Sequence, residues 1–213
     1  MRRIVVVDLG TGNLHSVSKA LEHVAGGVTV KVSAEPAVIA AADHVVLPGQ
    51  GAIGTWFKAL GKDTLHQAIT IALASRPVLG ICLGLQALFD HSDEDGGTTG
   101  LGVLAGQVRR FGSGENTRGQ ELKVPHMGWN NVTQHGEHPL WLGIPQDTRF
   151  YFVHSYYADA RAPDQVAGTT DYGVRFTSGA AADNVFAVQF HPEKSHAQGL
   201  KLLENFVNWD GGT

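Results

Sequence analysis

Hydrophobic residues in the first half of the chain form short runs that end at glycine, proline or polar residues. Continuous apolar runs of this length are typical of strands buried on both faces of a parallel sheet. Between them, apolar residues recur at intervals of three and four, which predicts helices. The predicted strands are 4–7, 28–32, 45–47 and 78–81, and the predicted helices are 16–24, 36–42, 65–74 and 85–91.

After Gly100 the pattern changes to strand-like segments separated by Gly, Pro and Asp turns, followed by one closing helix with an apolar face. Together the two halves predict an α/β fold: a doubly wound, mostly parallel sheet with helices on both faces and a flavodoxin-like core, plus antiparallel strands in the C-terminal half. We expect a single domain over 1–213. The later predicted strands are 103–111, 132–133, 150–157, 173–176 and 185–190, and the closing helix is 196–209.

Composition narrows the class of protein. The 213 residues are 43% hydrophobic, enough for one sizeable core, and 17% charged with a net charge of -4. The absence of a Lys/Arg run argues against binding to nucleic acid or an anionic membrane. The N-terminal apolar run is too short for a signal peptide or a membrane span, and a single cysteine fits a reducing compartment. We therefore predict a cytoplasmic protein.

The single cysteine lies in the segment Gly-Ile-Cys-Leu-Gly at 80–84, directly after a predicted strand. A side chain at so tight a junction between strand and helix is forced outward, and flanking glycines keep bulk away, as in the nucleophile elbow of hydrolases. Backbone N–H groups at the helix start can stabilise a thiolate and a developing oxyanion. The alternative is that Cys82 is a small buried hydrophobic residue, the usual fate of a free intracellular cysteine.

A thiolate nucleophile needs a histidine to exchange protons and a third group to orient that histidine. His191 ends an apolar strand, and Glu193 follows two residues later, so both side chains can lie on one side of an extended segment. Pro192 between them favours that extended geometry. The alternative is a strand-end histidine beside a solvated glutamate. Together with Cys82, the pair predicts a catalytic triad.

Two other patterns raise the question of cofactors. The segments 49–54 and 10–15 approach the glycine pattern of dinucleotide-binding turns. The first lacks the strand and acid that should follow it, and the second has His15 where the third glycine belongs. His135 and His138 lack the cysteine pair or helical His-Glu-x-x-His of zinc sites. We therefore predict neither a nicotinamide cofactor nor a metal site.

Taken together, these motifs resemble the class I glutamine amidotransferases, for which Gly-Ile-Cys-Leu-Gly-Leu-Gln and Phe-His-Pro-Glu in this order are specific. Within that family, Pro-His-Met-Gly-Trp-Asn resembles the glutaminase subunits of imidazole glycerol phosphate synthases more than their anthranilate, guanylate or carbamoyl phosphate relatives. The resemblance spans nearly the whole chain. The segments that carry it are 8–16, 48–51, 80–86, 125–130, 151–156 and 190–195.

The resemblance implies that Cys82 attacks the side-chain amide of glutamine and that His191, oriented by Glu193, transfers the protons that release ammonia. It implies no cofactor. Without it, Gln86 and Glu94 would be interpreted as ordinary helix-surface residues. The residues implied to bind glutamine and its oxyanion are Gly49, Gln50, Gly51, Leu83, Gln86, Glu94, His154, Ser155 and Tyr156.

The resemblance also implies a heterodimer with a (β/α)8-barrel cyclase subunit, which receives the ammonia. We expect Asn13, Trp129 and Lys194 on the docking face, with Trp129 in a surface turn, although core packing is the alternative for a tryptophan. Two residues depart from the family pattern. Leu9 stands where an aromatic residue is usual, and Gln50 stands where valine is frequent, in the loop that supplies a backbone oxyanion donor.

Three rival hypotheses remain open on the sequence. A stand-alone thiol hydrolase on the same fold would turn over without a partner. A silent binding module would be indifferent to the loss of Cys82. A glutaminase subunit of another amidotransferase would serve a different synthase.

Overall fold

The computed structural model describes residues 2–61, 63–112 and 122–212. These residues form a twelve-stranded sheet, a two-stranded sheet and six α-helices. The strands are β1 (Arg3–Val7), β2 (Thr29–Ser33), β3 (His44–Gly49), β4 (Val78–Cys82), β5 (Phe89–Ser92), β6 (Thr98–Thr99), β7 (Leu104–Arg110), β8 (His126–Asn131), β9 (Thr133–Gln134), β10 (Arg149–His154), β11 (Tyr156–Ala160), β12 (Val166–Tyr172), β13 (Val174–Ala182) and β14 (Val185–Val188). The helices are α1 (Leu14–Val24), α2 (Pro36–Ala40), α3 (Ile53–Leu60), α4 (Thr64–Ser75), α5 (Leu83–Leu88) and α6 (His196–Asn208).

One half of the large sheet is parallel, with the strand order β2-β1-β3-β4-β14. Alternate side chains of its strands point to opposite faces, as the period of a strand requires. Ile4 and Val6 pack in the same core as α1 and α6, whereas Val5 and Val7 pack with α2, α3 and α4. The predicted doubly wound α/β core with helices on both faces is therefore confirmed.

The other half of the large sheet is mostly antiparallel and continues through β13, β11 and β7, with β12 paired to β13 and β9 paired to β12. This confirms the antiparallel addition in the C-terminal half. β8 and β10 instead form a separate antiparallel pair. That pair is tied to the end of the parallel sheet, because the His191 N–H donates to the Tyr151 carbonyl and the Tyr151 N–H donates to the Ser195 hydroxyl.

Several predicted elements were wrong. The helix predicted over 85–91 ends at Leu88, and Phe89–Ser92 is a strand that pairs with β7. The strand predicted over 150–157 is two strands, β10 and β11, which belong to different sheets and are separated at Ser155. The turn predicted around Trp129 is the strand β8, and α3 and β12 were not predicted.

Within the described ranges, the longest helix is α6 with 13 residues, and none combines the length and apolar character that a membrane crossing needs.

Candidate active site

Three neighbouring strands, β3, β4 and β14, end at the same edge of the parallel sheet. Gly49 pairs with Cys82, and Val188 pairs with Ile81, so the segments that follow β3 and β14 leave the sheet on either side of the cysteine. The carboxyl edge of a parallel sheet is where α/β proteins place their binding crevices. This register brings the glycine loop at 49–51, Cys82 and His191 together from distant parts of the chain.

Cys82 has the strained backbone of a nucleophile elbow. Its φ of 55° and ψ of -104° lie in a region that side chains other than glycine rarely adopt, and α5 begins at the next residue. Of the glycines on either side, Gly84 is required sterically and Gly80 lies in a tight contact. A Cβ on Gly84 would lie 1.8 Å from the Leu47 carbonyl oxygen, and one on Gly80 would lie 3.0 Å from the Ala187 Cβ. The turn therefore holds the sulfur at the carboxyl edge of the sheet, at the cost of local backbone strain.

A cavity of about 290 Å³ opens over the cysteine. It gathers every residue predicted to bind substrate except Gly49, which packs against Trp56. Of the predicted triad, Cys82 and His191 line the cavity and Glu193 lies behind His191. Pro125 and Val153 were not predicted to line the site, although they lie within the segments 125–130 and 151–156 that carry the resemblance. The lining residues are Gln50, Gly51, Cys82, Leu83, Gln86, Glu94, Pro125, Val153, His154, Ser155, Tyr156 and His191.

His191 is held by Glu193 in a buried pair. The His191 Nδ1 donates to Glu193 Oε1 at 2.8 Å, and only 5% and 1% of the two side chains are exposed. Within the described residues, Nε2 is buried without a hydrogen-bond partner. Burial alone would lower the pKa of His191, but the negative charge of the Cys82 sulfur and the Glu193 carboxylate outweigh it and raise that pKa to about 10. The imidazole is therefore positively charged at neutral pH.

Gln86 can offer only an acceptor to the cavity. Its Nε2 donates to the Tyr156 carbonyl at 2.9 Å and to Gln189 Oε1 at 3.0 Å. A carbonyl oxygen can only accept, so the orientation of this amide is fixed and both of its N–H groups are occupied. Among the described residues its Oε1 has no hydrogen-bond partner and is left for a ligand, and an acceptor at this position suits an ammonium group.

Glu94 is a second acceptor on the same cavity. Burial raises its pKa above the ordinary value, while a hydrogen bond from the Ile53 N–H, at 3.0 Å, acts in the opposite direction. That N–H is the first of α3, which directly follows the glycine loop. The carboxylate therefore caps the helix and faces the cavity at once.

A row of neutral side chains supports the wall formed by β10 and β11. His154 Nδ1 donates to the Tyr156 carbonyl at 2.7 Å, so its Nε2 accepts from His126 Nδ1 at 2.9 Å. The Asn130 amide completes the row at His126 Nε2. Burial lowers the pKa of His126 to about 4 and that of His154 to about 3. These rings are structural supports that stay uncharged, not bases for the chemistry.

Two of the residues predicted for a docking face lie on one exposed patch beside the cavity. β8 points His126 inward and exposes Met127 and Trp129, which are 62% and 36% accessible. Trp129 stacks on His196 at 4.9 Å, and the Lys194 ammonium lies 6.0 Å from the centroid of the Tyr151 ring. Asn13, the third predicted residue, caps α1 through its side chain. We call the surface of Met127, Trp129, Tyr151, Lys194 and His196 the aromatic patch.

The arrangement is suited to acyl transfer from an amide. Cys82 on its strained turn and the buried His191, whose imidazole Glu193 orients, line one cavity that also holds acceptors for a cationic group. Among the described residues, no group of three or more His, Cys, Asp or Glu side chains is arranged to hold a metal ion. His135 and His138 contact Thr169 and the Leu140 N–H, respectively.

Comparison with known proteins points to one family. The model of the class-I glutamine amidotransferases matches residues 5–209. A relative from Thiobacillus denitrificans, named imidazole glycerol phosphate synthase subunit HisH, is 54% identical over 211 residues, which cover 98% of this chain and 92% of the relative. A Pseudomonas aeruginosa relative, named imidazole glycerol phosphate synthase subunit HisH 1, is 54% identical over 214 residues and 99% of both chains. The structure of PurLQS from Thermotoga maritima superposes with a TM-score of 0.69 at 17% identity, covering 97% of this chain and 98% of that one, a likeness of fold alone.

Proposed function

The chain belongs to the class I glutamine amidotransferase family, and we propose that it is the glutaminase subunit of an imidazole glycerol phosphate synthase, acting in histidine biosynthesis. The observation that carries the chemistry is the convergence of Cys82, His191 and Glu193 at one edge of the sheet. The pathway rests on the two relatives that are 54% identical over nearly their full length.

In the proposed reaction the Cys82 thiolate attacks the side-chain amide carbon of glutamine. The His191 imidazolium then gives its proton to the departing nitrogen, so that ammonia leaves and a γ-glutamyl thioester remains. The neutral imidazole next takes a proton from water, which hydrolyses the thioester and releases glutamate. Glu193 keeps the Nδ1 proton in place, so that Nε2 is the nitrogen that exchanges protons with substrate and water.

Backbone N–H groups stabilise the oxyanion in this scheme. The Leu83 N–H opens α5, and the loop of Gly49, Gln50 and Gly51 lies beside Cys82 through the pairing of β3 with β4. One such donor contributes about 3–4 kcal/mol in the transition state. Gln86 and Glu94 both present acceptors, so we propose that they bind the ammonium of the glutamine backbone, with Ser155 and Tyr156 completing the pocket.

Ammonia must pass directly to a second active site, because free ammonia in neutral water is mostly protonated and no longer nucleophilic. We propose that the chain docks through the aromatic patch and Asn13 against a barrel-shaped cyclase subunit. There ammonia joins a phosphorylated ribulosyl aminoimidazole nucleotide to give imidazole glycerol phosphate and an aminoimidazole carboxamide ribotide. The patch exposes aromatic and thioether side chains, which are enriched at interface cores.

Glutamate release by the purified chain tests this function, alone and with the cyclase subunit and its nucleotide. We expect weak activity alone and a steep rise with cyclase and nucleotide. Strong activity that ignores the cyclase would retain the triad and discard the partner. No activity under any condition would overturn the glutaminase assignment.

The change Glu193→Gln is expected to move the basic limb of the pH profile. Removing the carboxylate removes part of what raises the pKa of His191, so that pKa falls from about 10. The proton needed by departing ammonia is then lost at lower pH. We expect kcat/KM to decline from a lower pH than in the wild type, and kcat at pH 7 to fall about 10²-fold. Profiles of kcat/KM between pH 6 and 11 measure this shift, and Glu22→Gln, a substitution at an exposed residue, is the control. A basic limb at the same pH as in the wild type would contradict the prediction.

Lys194 directly follows the proposed orienting carboxylate and lies on the aromatic patch, so it can link docking to catalysis. The change Lys194→Ala is expected to lower cyclase-stimulated glutaminase about tenfold, within the usual range of coupling between sites. Rates at saturating cyclase and nucleotide measure the effect. Lys31→Ala, on the edge strand β2, is the matched control. An unchanged stimulated rate in Lys194→Ala would remove this residue from the coupling.

A further inference from the structure

Gln189 is a buried polar side chain that the proposed mechanism does not use. It lies between the last residue of β14 and His191, and its side chain is fully inaccessible to solvent. Its Nε2 lies 3.6 Å from Cys82 Sγ, within hydrogen-bond distance for a sulfur acceptor, and its Oε1 accepts from Gln86. A buried amide is costly unless its groups are satisfied, so these two contacts define what it does.

The direction of the contacts is fixed from the backbone. The Tyr156 carbonyl can only accept, which places Gln86 Nε2 against it. The second Gln86 N–H then points to Gln189, which must turn its oxygen toward Gln86 and its nitrogen toward the sulfur. The Gln189 amide therefore presents a donor to Cys82 and not an acceptor. Hydrogen bonds that a charged group accepts stabilise its charged form.

We infer that Gln189 is a positioning residue of the glutaminase site, which stabilises the Cys82 thiolate by donating from Nε2 and orients Gln86 through Oε1. The inference deepens the proposed function and rests on it. It assigns to one side chain two tasks at opposite ends of the substrate. At one end it favours the ionised nucleophile, and at the other it keeps the Gln86 acceptor turned toward the ammonium of glutamine.

Other titratable groups surround the same sulfur, and a substitution at Gln189 replaces none of them. Glu94, His154 and His191 line the cavity, and Glu193 lies behind His191. His154 is neutral above pH 3 because burial holds its pKa to about 3. His191 is the positive partner. A difference between wild type and a neutral variant of Gln189 therefore reports the lost donor.

Alkylation by iodoacetamide between pH 5 and 10 measures the thiolate without glutamine turnover. Cys82 is the single cysteine in the chain, so the label reports this residue alone. In Gln189→Met, which keeps the volume and removes the donor, we expect the pH midpoint of alkylation to rise by about one unit. The rate at pH 6 should fall about tenfold, and the two rates should converge at high pH.

Two further variants separate this effect from loss of structure. Gln86→Met removes the other amide and leaves the Gln189 donor beside the sulfur, so its midpoint should move much less than that of Gln189→Met. Gln189→Asn withdraws the donor by about one bond length, about 1.5 Å, while keeping a polar amide; its midpoint should rise even if Gln189→Met does not fold. Gln165→Met, remote from the cavity, should match the wild type.

The outcomes are distinct. Midpoints equal to wild type in folded Gln189→Met or Gln189→Asn would overturn the inference, as would an equal shift in Gln86→Met, which would reduce Gln189 to a support for Gln86. Either result would leave the proposed function untouched if the wild type still releases glutamate. An inactive wild type with the expected alkylation shifts would instead reject the glutaminase assignment and keep the contact between Gln189 and Cys82.

Discussion

Replacing Cys82 with serine is expected to lower glutamine hydrolysis by about 10⁴-fold or more, the scale at which removal of a nucleophile acts in comparable triads. A serine hydroxyl remains un-ionised beside His191, so the ion pair that raises the pKa of that histidine is lost together with the attacking sulfur. The side chain is buried and the two atoms differ little in size, so the fold should persist.

Steady-state glutamate release with cyclase and nucleotide measures the loss, and circular dichroism checks the fold. Ammonium supplied directly should still support formation of imidazole glycerol phosphate by the complex, because the cyclase step needs only ammonia. Glutaminase activity of Cys82→Ser within tenfold of the wild type would reject Cys82 as the nucleophile. Loss of the ammonium-dependent reaction as well would place the defect in assembly.

The parts of the site that the sequence predicts best are those carried by short local patterns. Cys82 lies between two glycines directly after a buried strand. Gly84 is needed because a Cβ there would overlap the backbone of Leu47, and a Cβ at Gly80 would lie in tight contact with Ala187. Glu193 follows His191 by two residues, and the two side chains do meet at 2.8 Å. In both cases the decisive contacts lie within a few residues along the chain or with an adjacent parallel strand.

The errors arise where pairing with distant segments decides the local structure. Residues 85–91 have apolar positions that fit a helix, but the chain becomes extended at Phe89 because β5 pairs with β7. The run at 150–157 is equally compatible with one strand. It divides at Ser155 because His154 pairs with His126 in one sheet, whereas Tyr156 pairs with Arg110 in the other. Local periodicity contains no information on either partner.

Gln189 and the two supporting histidines show a different limit. Glutamine and histidine are common on surfaces, and the residue type alone does not reveal whether an amide donates to a sulfur or a ring stays neutral. These roles follow from the fixed direction of the Tyr156 carbonyl, which accepts from both Gln86 and His154. Gln189 directly precedes the segment 190–195 that contains His191, yet only its contacts with Gln86 and Cys82 assign it a task.

Adding one methyl group at Gly84 is expected to disrupt the fold around the site. Alanine favours a helix over glycine by about 1 kcal/mol, so propensity alone predicts that Gly84→Ala stabilises α5. The new Cβ would lie 1.8 Å from the Leu47 carbonyl oxygen and 2.9 Å from its carbon, and both belong to the backbone of β3. The steric overlap therefore outweighs the helix propensity, so the substitution destabilises the protein and α5 must move away from the sheet. We expect a net loss of about 2–3 kcal/mol in the free energy of unfolding.

The same displacement of α5 should also lower the catalytic rate. Leu83, the proposed oxyanion donor, begins α5, and Cys82 directly precedes it, so a shift of about 1 Å should lower kcat at least about 10²-fold. Urea unfolding and cyclase-stimulated glutaminase measure the two effects on one preparation. Gly26→Ala is the matched control, because its Cβ would have no heavy atom within 4 Å, and it should stay within about 0.5 kcal/mol of the wild type. Equal stability and activity in Gly84→Ala and Gly26→Ala would contradict the steric argument. They would mean that α5 is not packed tightly against Leu47 of β3 and that position 84 tolerates a Cβ.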